Sequence, residues 1–313
     1  MEGRISPNIL DAIGNTPLVQ LRKVVPPGSA RVLVKMESAN PSGSMKDRMA
    51  QAMIARAEAD GRLQTGGTVV EYTGGSTGTS LALICAAKGY RLRIVTSDAF
   101  SREKRDHMEA LGAQLLLVPS EDGRTTKKLI EAMIEEARRL SREAGSYWTD
   151  QLNNVDHIAG YHPLGEEIWS QTAGSVDAFV QCVGTAASLR GAAEVLRSRS
   201  REVRVVAVEP AESPVLSGGE TGAHHIEGIG IGFIPPLWMP HVADEILKIT
   251  TTEAQAMARR LAREEALFAG TSSGANVAAA LLVAQRMGPR ATVVTLLVDS
   301  GLKYLSTDLF RGS

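Results

Sequence analysis

The 313-residue chain reads as an α/β protein built from two doubly wound parallel-sheet domains. Two observations predict this. Short runs of Val, Ile and Leu recur, apolar at nearly every position, as strands buried on both faces require. Between them lie longer stretches whose apolar residues return at helical spacing, and such alternation winds helices around parallel sheets.

The strand runs fall at 32–36, 68–72, 92–96, 114–118, 178–183, 203–208 and 292–298, and all seven are read as buried on both faces. Helical stretches occupy 49–60, 101–111, 127–144, 189–197 and 252–265. Asp, Asn and His accumulate at 151–160, which places a break there. The expected domains are therefore 1–150 and 151–313, with part of the first forty residues packing with the second. A ligand is expected in a crevice at the carboxyl ends of the strands.

Composition narrows the partners. Lys and Arg total 34 against 35 Asp and Glu, so the net charge of -1 offers no field for nucleic acid. A small molecule is the expected partner. Cys85 and Cys182 lie in apolar runs without metal-type spacing and read as buried thiols of a reducing compartment. The first residues lack a basic head followed by an apolar stretch, and no run approaches the roughly 18 apolar residues of a membrane span. A soluble, cytoplasmic protein is expected. His224 and His225 stand beside a glycine-rich loop without further ligands, so no metal is expected.

Three glycine- and hydroxyl-rich turns follow strands and open helices: residues 71–79, 183–188 and 269–275. Glycine lets backbone approach a ligand, free N–H groups at a helix start donate to an anion, and the helix dipole favours negative charge there. For any one turn, a simple hydroxyl cap on the helix accounts for the same residues. None matches the nucleotide phosphate loop or the dinucleotide fingerprint. Lys46, in Asn40-Pro41-Ser42-Gly43-Ser44-Met45-Lys46-Asp47-Arg48, falls at a helix start. The positive helix end favours its neutral, nucleophilic amine, although on position alone a solvated lysine paired with Asp47 or a nearby acid is the better reading.

That nine-residue segment resembles the cofactor-lysine motif of the cysteine synthase and cystathionine β-synthase family of pyridoxal-phosphate (PLP) enzymes. The resemblance runs through most of the chain, taking in Ile13 to Val19, Gly228 to Pro235 and Asp299 to Thr307. It implies PLP fold type II, similar to the tryptophan synthase β-subunit, and a homodimer. Lys46 matches the Schiff-base lysine, which also serves as acid and base. Gly184, Thr185, Ala186, Ala187 and Ser188 match the phosphate loop, with two alanines where the family usually has glycines, and the backbone donors survive if the local dihedrals suit alanine. Ser272 matches the serine that hydrogen-bonds the pyridine nitrogen, Ser76 the residue that faces the cofactor ring hydroxyl. Thr73, Gly74, Gly75 and Thr77, with Gln151, match the clamp on the substrate carboxylate. Departures stand at Gly74 and Ser76, where the family usually has Ser and Asn, and at 160–164, where it commonly shows His-x-x-Thr-Thr.

The activity so implied is β-replacement on an activated L-serine through an aminoacrylate, with O-acetyl-L-serine and sulfide giving L-cysteine. The departures motivate an alternative in which L-serine or O-phosphoserine is the donor and homocysteine, sulfide or an amine the nucleophile. A non-catalytic PLP-binding homologue is a third reading, opposed by the retention of Lys46 and Ser272.

Overall fold

The computed structural model describes residues 5–123 and 126–311. In chain order its elements are β1 (Leu18–Gln20), β2 (Arg31–Met36), α1 (Lys46–Ala59), β3 (Thr68–Tyr72), α2 (Ser76–Lys88), β4 (Arg91–Ser97), α3 (Arg102–Ala110), β5 (Gln114–Val118), α4 (Lys127–Ser141), β6 (Ser146–Trp148), α5 (Asp156–Ala159), α6 (His162–Gln171), β7 (Ala178–Cys182), α7 (Ala187–Arg199), β8 (Arg204–Pro210), β9 (Glu245–Ile249), α8 (Thr251–Glu264), α9 (Thr271–Met287) and β10 (Thr292–Leu297). They divide into two compact units, one formed by residues up to 15 with 40–160, the other by 16–39 with residues from 161 onward.

The first unit carries a sheet in the order β5-β4-β3-β6, every pair parallel. β3 is buried at all five positions, as a central strand covered on both faces must be. β5 differs from its sequence reading. It is an edge strand, and Leu116 and Leu117 are 39% and 51% exposed, because a strand with one neighbour is covered less completely. Ile54, Leu81, Ile84, Ile94 and Met108 form the core between sheet and helices.

The second unit has the order β1-β2-β10-β7-β8-β9. All its pairs are parallel except β1 with β2, an antiparallel addition at the edge. β7, β8 and β10 are buried nearly throughout and pack on α9 through Val180, Val206, Val293, Val277 and Leu281. α8 starts at a capping box in which Thr250 and Glu253 satisfy each other's backbone N–H groups. Gly274 lets α9 approach α8 closely, since a Cβ there would stand 2.0 Å from the Ala254 carbonyl oxygen. Met257 and Leu261 of α8 belong to this core. Among the described residues no helix is long and apolar enough to cross a membrane.

Candidate active site

The first unit presents a lysine and a hydroxyl-rich turn. Lys46 is the first residue of α1 and half-buried. The turn before it is held by Asp47, which is fully buried: its carboxylate accepts hydrogen bonds from the Ser42 N–H, at 2.8 Å, and from the Ser42 hydroxyl, which also lies 3.1 Å from the Ser80 hydroxyl. The Ser44 hydroxyl accepts from the Lys46 N–H at 3.2 Å. Asp47 is thus an internal brace of the turn that presents Lys46. His157 on α5 is buried in the same unit, its two ring nitrogens without hydrogen-bond partners. Burial, and secondarily the Lys46 charge, push its pKa down to about 3, so it stays neutral beside the lysine. Gly160 brings α5 close to α1, where a Cβ would meet Ala52 Cβ at 2.7 Å and the Arg48 carbonyl oxygen at 2.8 Å.

β3 runs into Thr73, Gly74 and Gly75, and α2 opens at Ser76. Gly75 has φ +144°, and a Cβ on it would collide with the Lys104 side chain. Phe100 fills the space beside Gly74. The Thr73 hydroxyl accepts from the Gly75 N–H at 3.0 Å, and the Thr77 hydroxyl donates to Gln151 Oε1 at 2.7 Å. Gln151 Nε2 in turn donates to the Tyr72 carbonyl at 2.9 Å. Thr73, Gly74, Gly75, Ser76, Thr77 and Gln151 therefore meet at the carboxyl end of β3, with Gln151 arriving from the chain that follows β6.

In the second unit the turn 184–188 follows β7. Gly184 is required sterically, because a Cβ would stand 2.4 Å from the Gly228 carbonyl oxygen. Ala186 adopts φ +72°, ψ -16°, a left-handed conformation that costs a residue with a Cβ about 1 kcal/mol or more. The condition attached to the alanines in the sequence is met by Ala187, the first residue of α7, and not by Ala186. Strain of this kind persists where the surrounding structure dictates the backbone, and here it shapes a concave turn of N–H groups. Gln181 Nε2 donates to the Ser188 hydroxyl oxygen at 2.5 Å. Ser272 is 3% exposed at the start of α9, next to β7, whose Cys182 Sγ donates to the Ser272 carbonyl at 3.6 Å. Asn276 fixes this end of α9: it accepts from the Cys182 N–H at 2.6 Å and donates to the Leu296 carbonyl at 3.0 Å. The structure so brings Ser272 and the 184–188 turn together within one unit.

The helix-cap account of these turns is corrected by the structure. α2, α7 and α9 all begin without a side-chain cap. Two hydroxyls of the third turn that could have capped α9 go elsewhere: Ser273 accepts from the Val298 N–H at 2.9 Å and Thr271 from the Glu227 N–H at 3.2 Å. No side-chain cap therefore takes up the opening N–H groups of these helices. Around 184–188 the donors are backbone N–H groups and the Thr185 and Ser188 hydroxyls, with no carboxylate in the turn. That donor set fits a phosphate group.

Elsewhere, His162 is 43% exposed and lies 2.9 Å from Glu194, a surface pairing. Cys85 and Cys182 are both buried free thiols, and burial pushes their pKa values up. Two residues at the sites have roles not singled out in the sequence: Glu71, which accepts from the Gln151 N–H at 3.0 Å, and Asn276. The only signal for either was a polar side chain inside an otherwise apolar run or helix face.

A family model described as pyridoxal-phosphate dependent enzyme matches residues 9–299. The chain belongs to this family. As a member it is a PLP-dependent enzyme, as the resemblance at Lys46 implied. Among curated relatives, a cysteine synthase of Staphylococcus aureus strain Mu50 is 42% identical over 306 residues, covering 97% of this chain and 96% of its own. The crystal structure of a cysteine synthase from Entamoeba histolytica superposes with a TM-score of 0.93 at 38% identity, covering 100% of this chain and 93% of its own. An O-ureido-L-serine synthase superposes with a TM-score of 0.90 at 37% identity, covering 99% and 98% respectively.

Proposed function

We propose that this enzyme catalyses β-replacement on O-acetyl-L-serine with sulfide, giving L-cysteine and acetate. The observation that carries the reading is the 42% identity to a cysteine synthase across 97% of the chain, together with the Thr77 and Gln151 constellation beside the uncapped start of α2. PLP, when bound, supplies the electron sink that makes the substrate Cα proton removable and lets the β-substituent leave. Lys46 Nζ would hold the cofactor covalently and, once released from it, would act as the base that takes the substrate Cα proton. Gly184, Thr185, Ala186, Ala187 and Ser188 bind the phosphate. Ser272 offers the ring nitrogen a neutral hydroxyl, which does not force that nitrogen to stay protonated. Thr73, Gly74, Gly75, Thr77 and Gln151 would hold the substrate carboxylate, and Ser76 would face the cofactor's ring hydroxyl. Acetate leaves Cβ, and a C–S bond replaces the C–O bond.

The enzyme works as a homodimer in the cytoplasm. Ile234, Phe268, Leu302 and Leu305, 37% to 62% exposed in the second unit, supply apolar surface for association, and two reduced thiols suit a reducing compartment. Sedimentation at micromolar concentration tests the dimer.

A second donor is favoured by one observation: the Phe100 ring occupies the space at residue 74 where relatives usually place a serine side chain. Supplying the purified holoenzyme with sulfide and, separately, O-acetyl-L-serine, O-phospho-L-serine and L-serine tests the donor. Cysteine formed fastest from O-acetylserine supports the reading. A clear preference for another donor replaces it.

A further inference from the structure

Glu71 is a buried carboxylate that the proposed chemistry leaves unused. It sits at 0% exposure on the fourth residue of β3, two positions before Thr73, where the strand opens into the substrate turn. A charged group so placed must recover a large loss of hydration. Among the described residues no cation pairs with it, and four neutral donors reach it instead. Oε2 accepts from the Thr149 hydroxyl at 2.6 Å and from the Gln151 N–H at 3.0 Å. Oε1 accepts from the Tyr72 N–H at 2.9 Å and from the Trp148 indole N–H at 3.4 Å.

Three of these donors lie on β6 or just beyond it, so one side chain ties the end of β3 to the chain that delivers Gln151. Asp150 supports the same geometry. Its φ of +43° bends the chain sharply after β6, and the next N–H is the one given to Glu71. The Gln151 amide is then fixed at its other end, donating to Tyr72 and accepting from Thr77. One amide hydrogen of Gln151 is used by the Tyr72 carbonyl, which leaves the second for a ligand, on an amide whose oxygen is tied to Thr77 in the first turn of α2.

We propose that Glu71 is a positioning residue for the amino-acid substrate: its carboxylate sets the Gln151 main chain, and through it the amide that meets the substrate carboxylate. This rests on the assignment of Thr77 and Gln151 to the substrate. A plain core residue at 71 would affect folding without distinguishing substrate from cofactor or nucleophile. A positioning residue changes the amino-acid affinity and acts only through Gln151.

The test is a double-mutant cycle on holoenzyme at about pH 8, where Glu71 is ionised, with the amino-acid Kd read from the perturbation of cofactor absorbance and KM and kcat read from turnover. O-acetyl-L-serine, L-serine and O-phospho-L-serine are each titrated against wild type, and the comparison uses the one that binds. Glu71→Gln places an amide against hydrogen-bond donors, and we expect Kd and KM for the amino acid to rise about 10-fold, the scale of one lost charge-assisted hydrogen bond. Cofactor content and the KM for sulfide stay at wild-type values. The double variant E71Q/Q151A binds no more weakly than Q151A alone. Thr149→Val, which removes a single donor, shows a smaller rise in the same direction and serves if E71Q does not fold. Unchanged affinity in E71Q, or in T149V where E71Q is unfolded, overturns the proposal, as does an additive double variant. Wild type that binds serine or O-phosphoserine but not O-acetylserine overturns the donor assignment alone. Wild type that binds none of the three overturns the carboxylate site, and Glu71's role with it.

Discussion

The ring of Phe100 lies against the backbone of Gly74, where a Cβ would stand 2.8 Å from Phe100 Cε1 and 3.0 Å from Cδ1. The glycine at this point of the substrate turn and the aromatic ring beyond β4 are therefore a matched pair. Introducing the serine that relatives usually carry should overpack the site. Gly74→Ser is expected to destabilise the fold by about 1–3 kcal/mol, and Phe100→Ala in the same chain to remove most of that loss. Thermal unfolding of the two single variants and the double measures it. Equal stability of G74S and wild type would show that the ring yields freely.

Ala186 makes a prediction of opposite sign. Its left-handed backbone strains an alanine but not a glycine. Ala186→Gly should stabilise the protein by about 1 kcal/mol while PLP affinity is retained, because the donors are main-chain N–H groups. Chemical denaturation and equilibrium dialysis report the two quantities. A stability loss would mean that the turn does not hold this conformation in solution.

Glu71 also makes stability depend on pH. Burial raises its pKa from the ordinary 4.5 to about 7, against the lowering effect of its hydrogen bonds. The folded state therefore binds the proton more tightly than the unfolded state, and stability contributed by this group falls as pH rises from about 4.5 to about 7. Relative to Glu71→Gln, which does not titrate, wild type should lose on the order of 3 kcal/mol between pH 4 and pH 8. Urea midpoints of both proteins across that range decide it, and a constant gap between them contradicts the shift.

His157 works in the other direction. Its folded pKa of about 3 lies below the ordinary 6.5, so between these values the unfolded state holds more protons and stability is lost on acidification. Against His157→Leu, wild type should weaken by roughly 2–3 kcal/mol between pH 7 and pH 4.5. If both proteins lose stability in parallel over that interval, the imidazole is not buried as described.

Much of the framework was legible because buried strands leave an unbroken apolar signature. The runs 68–72 and 114–118 coincide with β3 and β5 at both ends. β1, β6 and β9 left no such trace. Two have three residues each, and none is buried along its length, so the hydrophobic pattern had little to act on. The edge position of β5 was hidden for the opposite reason: Leu115, Leu116 and Leu117 look like a core strand although two of them are well exposed. At the site, the three turns could be found from clustered glycines and hydroxyls after strands. Nothing in an alanine announces the left-handed backbone of Ala186. The bond between Glu71 and Gln151 joins residues 80 apart in sequence, and such a pairing exists only once the sheet has set β6 beside β3.

The central claim is that Lys46 drives a PLP-dependent β-replacement. Its most direct test is the rate of L-cysteine formation from O-acetyl-L-serine and sulfide by Lys46→Ala beside wild type, both loaded with PLP. The account predicts rapid turnover by wild type and a loss of at least about 1,000-fold in the variant, since one side chain supplies both the covalent link and the proton transfer. Turnover by K46A at the wild-type rate would contradict it.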